Sequence, residues 1–331
     1  MRYKTGFIRW AMGLALLLLP LGAWALDLSP DASRVLSDPT YLPLGGQFFG
    51  STEYSYNQVN SNTDNYQGKM TASTSVKTTT LTQVLDFGLT DDLTLRASGF
   101  YQLNGTNSQD PSGVSTLTSS YGMSDPTIAL VCRVLDEKGA PFNWDLKASY
   151  TPDLINAESA SADLSGSVAR GGSTAAFGTA LSYKGKDFTL YLVGDGTYLD
   201  EKDVLNQNNG ITTSYQPSWV YSLDATTQTR FAEGLSLNAG VSMTFNQSVN
   251  ASYVNAANKV IDFTNQPSDI TYLILALNYQ VTPGKLAASL LYSHDFYGQS
   301  GNTYLSKPQL DNTIVDRYND LVGAELRYVF N

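Results

Sequence analysis

Apolar and polar residues alternate along most of this chain. Leu235, Leu237, Ala239, Val241, Met243 and Phe245 are apolar, and Ser236, Asn238, Gly240, Ser242 and Thr244 separate them. A period of two gives a strand one apolar and one polar face. A helix with this pattern would spread its apolar groups round its whole circumference. The alternation recurs through Phe142–Thr151, Ala175–Tyr183, Trp219–Thr226, Leu273–Val281 and Val322–Phe330. Two kinds of connection separate the runs. Short ones carry turn residues: Thr90-Asp91-Asp92, Asp136 to Gly139, Lys184 to Asp187, Ala232-Glu233-Gly234 and Thr282-Pro283-Gly284. Long ones are rich in Asn, Ser, Thr, Asp and Gly. They fall near Gln58–Gly68, Gly105–Ser120, Asp153–Gly172, Asp200–Ser214, Gln247–Pro267 and Gly298–Asp316.

Short and long connections in strict turn mark a transmembrane β-barrel, with short periplasmic turns and long extracellular loops. The pattern predicts an all-β fold, a closed antiparallel barrel of about twelve strands from near Gly46 to Phe330. An even strand number returns the C-terminus to the periplasm. Tyr and Phe cluster at the ends of the runs, at Tyr54, Tyr56, Tyr150, Tyr183, Tyr198, Tyr292, Phe296, Tyr328 and Phe330. Amphipathic rings there form girdles at the membrane–water boundaries. A soluble β-sandwich, with the same rings in its core, is the competing fold.

The start of the chain sets an address. Arg2, Lys4 and Arg9 precede the apolar run Ala11–Leu19, and Ala23-Trp24-Ala25 supplies the small residues of a cleavage site. Residues 1–25 therefore read as a cleavable signal peptide. The apolar run is shorter than the roughly 20 residues of a membrane helix. Residues 26–45 do not alternate and are expected to form a periplasmic or plug segment. Residues 46–331 form the barrel.

Composition narrows the chemistry. The net charge of −10 becomes −13 without the signal peptide, with 17 basic against 30 acidic residues. That acidity disfavours nucleic acid as a partner. The chain has one Cys and one His, too few for the usual zinc sites, and no spaced calcium loop, so neither metal nor cofactor is expected. Cys132 shares its apolar register with Ile128, Leu130 and Val134, and reads as a buried or lipid-facing hydrophobe. Ser293-His294-Asp295 holds the residue types of a hydrolytic triad. Strand neighbours point to opposite faces, however, so the three cannot form a nucleophile–base–orienter chain.

The polar register carries the candidate functional residues. Alternation sends Glu53, Asp86, Arg96, Arg133, Asp145, Lys147, Asp195, Asp224, Glu325 and Arg327 toward the lumen. Two readings follow: an interior closed by salt bridges, or a wet channel with opposed charges. A barrel of about twelve strands is wider than the ~8-strand case that side chains fill and narrower than the ~16–18-strand open porin.

Ser37-Asp38-Pro39-Thr40-Tyr41-Leu42-Pro43 runs straight into the first strand. Tyr121-Gly122-Met123-Ser124-Asp125-Pro126 enters a strand from a long loop. With the hairpin layout, these resemble bacterial outer-membrane transporters grouped with the phenol meta-pathway proteins. That family shows Gly-x-Gly-Asp before this strand; here Ser124 replaces the second Gly. The resemblance implies uptake of small hydrophobic or aromatic compounds and carries over no functional residue. The expected role is passive passage of a small-molecule solute through a Gram-negative outer membrane. The expected partners are outer-membrane lipid and, during biogenesis, the barrel-assembly machinery, with the chain a monomer. An outer-membrane lipid hydrolase using His294 and a surface-loop adhesin are the alternatives.

Overall fold

The computed structural model describes residues 36, 38, 40–65, 67–136, 142–158, 168–185, 188–206, 209–304 and 307–330. The expected signal peptide, residues 1–25, and residues 26–35 of the expected periplasmic or plug segment lie outside the described residues. Among the described residues there is no helix. The strands are β1 Phe48–Asp64, β2 Met70–Gly88, β3 Leu93–Gln109, β4 Ser115–Met123, β5 Thr127–Leu135, β6 Phe142–Thr151, β7 Ala157–Glu158, β8 Thr174–Lys184, β9 Phe188–Leu199, β10 Lys202–Asn206, β11 Ile211–Tyr215, β12 Ser218–Ala232, β13 Leu235–Asn246, β14 Val249–Val254, β15 Val260–Gln266, β16 Ile270–Thr282, β17 Leu286–Tyr297, β18 Ser300–Tyr304 and β19 Lys307–Phe330.

Twelve of these close into an antiparallel ring in the order β1-β2-β3-β5-β6-β8-β9-β12-β13-β16-β17-β19. The seam pairs β19 with β1, Phe48 facing Phe330 and Asp64 facing Thr313. Closure leaves the ring without a free edge. The side chains sort as the alternation predicts. Phe177 is 75% exposed, Leu290 64% and Leu223 59%, while Asp86, Thr94, Gln228 and Asn278 are buried. So many exposed large apolar groups are intelligible only on a surface that faces lipid. Cys132 is among the exposed residues of that outward register.

The long connections depart from the expectation of loops. Much of each is strand. β4 prolongs β5 along β3, β10 prolongs β9, and β11, β14, β15 and β18 prolong β12, β13, β16 and β17. The two-residue β7 pairs with β10 in parallel. The ladders β10–β11, β11–β14, β14–β15 and β15–β18 keep the register of the ring, whereas β18 slips against β19. Between the pairs Leu199↔Ser218 and Lys202↔Tyr215 each side holds two residues. Between Val220↔Asn246 and Tyr215↔Ala251 each side holds four. Between β3 and the β4–β5 pair, one extra residue makes a bulge at Ser124-Asp125-Pro126.

The breaks fall where the chain lacks ladder donors. Pro126, Pro217 and Pro267 have no N–H to give. Side chains fill the gap: Gln247 Oε1 accepts from Trp219 N at 3.1 Å and Asp269 Oδ1 from Asn246 N at 3.1 Å. Above the breaks the hairpins end in one recurring tip. An Asn or Asp at position 65, 110 or 255 accepts two downstream backbone N–H groups. This is the side-chain mimic of a turn that favours these residues. A tilted strand needs about 9–11 residues to cross the bilayer, and β19 has 24. The surplus stands as a wall above the membrane, built from polar strands.

Candidate functional site

All ten charged residues expected to face the lumen lie on the register opposite the exposed apolar one. Asp86 and Arg96 stand directly opposite each other on β2 and β3. Two parallel hydrogen bonds of 2.7 Å join them. Arg133 and Asp145 repeat the arrangement on β5 and β6, at 2.8 and 3.0 Å, and both side chains are more than nine-tenths buried. Such bidentate pairs combine charge with fixed geometry.

Lys147 on β6 reaches Asp195 on β9 at 3.5 Å, across the intervening strand β8. Gly178 makes this possible. It faces both Lys147 and Asp195 in register, and a methyl at 178 would overlap the Asp195 carboxylate. Arg327 holds Glu325 two residues away on its own strand at 2.9 Å. Glu53 stands directly opposite Glu325 across the seam, a like-charge juxtaposition that costs stability. Asp224 faces Ser242.

These ion pairs run along the wall. Each joins neighbouring strands, strands one apart, or residues of one strand; among the described residues none crosses the ring from wall to wall. The N-terminal segment does cross it. Arg327 of β19 donates to the Leu36 carbonyl at 3.1 Å, and Arg133 of β5 donates to the Thr40 carbonyl at 2.6 Å. Asp38 lies 4.0 Å from Lys184 of β8. In the ring β8 stands opposite β19. Leu36 is fully buried with Phe49 and Ala287, and Tyr41 and Val329 pack against them.

The triad-like run divides as expected from strand geometry. Ser293 Oγ donates to Asp295 Oδ1 at 3.0 Å on one face. On the other face His294 Nδ1 lies 2.8 Å from Asp320 Oδ1 on β19, to which the Tyr292 hydroxyl also donates. The imidazole stacks edge-on against Phe296, ring centroids 4.5 Å apart. The serine and the imidazole point through opposite sides of the wall, so they cannot share a proton.

Above the membrane, Asp110 and Lys202 are among the groups shifted by their surroundings. Hydrogen bonds, first from the Ser112 hydroxyl and then from backbone amides, hold the Asp110 carboxyl below its usual range. Burial, and then the charge of Arg170, lowers the Lys202 ammonium, whose Nζ sits 5.2 Å from the Tyr215 ring centroid. Sequence reading missed this extracellular aromatic set, in which Phe263 contacts Tyr215, Tyr253 and Tyr304. It falls in stretches read as loops.

No protein-family model matches the chain, and no curated protein matches it in sequence. Solved structures do. An outer membrane channel from Pseudomonas putida F1 matches with a TM-score of 0.56 at 15% identity, over 92% of this chain and 100% of that one. The transport unit of the autotransporter AIDA-I from Escherichia coli matches with a TM-score of 0.58 at 8% identity, over 97% and 98%. The chain has the fold of an outer-membrane β-barrel. Both neighbours span nearly all of it, so the barrel accounts for the whole described chain. A deltaS2S3 mutant of the monoaromatic hydrocarbon channel TodX overlays more loosely, with a TM-score of 0.46 at 14% identity over 92% of this chain and 94% of its own. One fold serving a channel and an autotransporter shows that function has to be argued from the interior.

Proposed function

We propose that this chain is an outer-membrane channel for passive uptake of small solutes, hydrophobic or aromatic ones among them. The carrying observation is the layout of the inner face. Its charges are satisfied along the wall, Asp86 with Arg96, Arg133 with Asp145 and Lys147 with Asp195. A lumen closed by salt bridges would need partners on opposite walls. Pairing between neighbours instead keeps these charges along the wall and lines the lumen with fixed dipoles. Width agrees: twelve strands exceed the ~8 that side chains fill. The match to an outer membrane channel adds support at the level of fold.

Leu36, Asp38 and residues 40–45 serve in this reading as a constriction at the periplasmic end, since Leu36, Asp38 and Thr40 are held by opposite parts of the ring. Purified protein reconstituted in planar bilayers tests the channel. Stepwise conductance in potassium chloride is expected, with permeation by small solutes. Absence of both at every salt concentration rejects the reading.

A further inference from the structure

Among the described residues two arginines of the inner face hold no carboxylate, Arg230 of β12 and Arg317 of β19, and only Arg317 is stacked on an aromatic ring. Arg96, Arg133 and Arg327 are each paired at 2.7–2.9 Å. Arg317, on the upper part of β19, makes no ion pair among the described residues. Its guanidinium carbon instead sits 4.1 Å from the ring centroid of Tyr297 on β17. Stacking on an aromatic face fixes the plane of the guanidinium.

The backbone beside it is unusual. Asp316 has φ +49°, a left-handed conformation in a residue other than glycine within a strand. It belongs to a bulge. Asn60 of β1 faces Tyr318 and Asn62 faces Val315, so β19 passes two residues where β1 passes only Ser61. Toward β17 there is no slip: Phe296 faces Tyr318 and Ser300 faces Ile314, with equal residues between. The bulge therefore absorbs the mismatch on the β1 side while Arg317 stays level with Tyr297. Bulges that re-aim a side chain gather beside binding and active sites, and a sparsely populated conformation is kept where the surroundings enforce it.

Two further residues complete the cluster. Tyr272 of β16 stands opposite Asp295, one step from the pair Ile270↔Tyr297. Asp295 accepts from the Ser293 hydroxyl and from the Asn319 amide, both neutral donors. It therefore does not discharge Arg317.

We propose that Arg317, Tyr297 and Tyr272 form a binding station in the upper lumen for aromatic monocarboxylates. The stacked guanidinium holds its N–H groups in one plane, the geometry that takes a carboxylate through two parallel bonds. The two tyrosines offer ring surface to the aromatic body of the solute. The nearby Asp295 charge disfavours dianions, so a single negative charge is selected. This station rests on the channel reading and gives it a substrate class.

Calorimetric titration of the detergent-solubilised full chain with benzoate, and with benzyl alcohol as the neutral analogue, tests it without requiring conduction. Wild-type protein should bind benzoate at least tenfold more tightly than benzyl alcohol. Arg317→Gln should remove that preference, and Arg317→Lys should keep part of it. Tyr297→Leu should weaken both ligands. Heat-shifted gel migration of each variant confirms folding. Equal benzoate binding by wild type and Arg317→Gln, or no benzoate binding by wild type at millimolar concentration, overturns the station. Potassium chloride conductance should persist in Arg317→Gln. Loss of conductance in every form, wild type included, rejects the channel rather than the station.

Discussion

At the scale of single residues, the barrel is tuned by where side chains are left out. Gly50 lies in the seam strand β1, opposite Tyr328, and a methyl there would run into the Tyr328 ring. With glycine in place, the Tyr328 hydroxyl reaches the Gln83 amide at 3.0 Å on β2 and lies 3.3 Å from the Thr52 hydroxyl. One ring thus ties together three strands at the closure. Gly50→Ala forces the ring off this site, an overpacking that costs about 1–3 kcal/mol. The expected result is a lower urea midpoint for the heat-modifiable folded form, and pairing it with Tyr328→Ala should recover part of the loss. An unchanged midpoint in Gly50→Ala would show that the ring is free to move aside. Gly178 works likewise beneath the Lys147–Asp195 pair.

At the scale of elements, the twelve ring strands were legible because one face must be apolar for lipid and the other polar, so the sequence has to alternate. That requirement lapses above the membrane. The extensions β4, β10, β11, β14, β15 and β18 have no lipid to face, and Thr, Ser, Asn and Asp interrupt their apolar residues. They look like loops to any reading that relies on hydrophobic contrast. The same blindness hid Arg317, Tyr253, Phe263 and Tyr304, which lie in or beside those polar stretches. The ten inward charges were legible from alternation. Their partners were only partly so: Asp86 and Arg96 meet across one tight turn, whereas Lys147 and Asp195 meet across a whole strand through Gly178.

The hairpin tips also titrate. Asp110 is stabilised in its ionised form, because its carboxylate accepts from Ser112 and Val114. Its folded pKa is lowered from 3.8. The ionised acceptor therefore supports the tip fully above the ordinary carboxylate range, and this support is lost as pH falls through the lowered folded value. Amide exchange at Val114 should stay slow at neutral pH and speed up only in that acidic window. In Asp110→Ala it should be fast at every pH. Exchange in wild type that rises already near pH 5 would contradict the assignment.

At the scale of the whole molecule, a closed ring carries a segment laid across its mouth. Among the described residues the contacts holding that segment include two arginine bonds to main-chain carbonyls, a loose ion pair at Asp38, a bond from the Gly45 amide to Asp91 and a small apolar cluster at Leu36. These are non-covalent and end on the wall, while the ring is closed by its own ladders, so the ring should survive their loss. Deletion of residues 36–43 is expected to leave a folded, heat-modifiable barrel whose single-channel conductance rises several-fold. Unchanged conductance would place the constriction elsewhere. Arg133 then needs attention in its own right, because its Asp145 partner would remain buried whether or not the carbonyl of Thr40 is present.

The matched residue counts on either side of the breaks have a bearing on how such a surface can vary. A hairpin that lengthens by equal amounts in both arms keeps every side chain below it on its own side of the wall. A hairpin that gains a single residue in one arm must either bulge or turn its upper part inside out. Related proteins facing different phages or antibodies should therefore differ at these tips by balanced insertions. Foreign peptides grafted between Asn255 and Lys259 should be carried on the cell surface without disturbing the barrel.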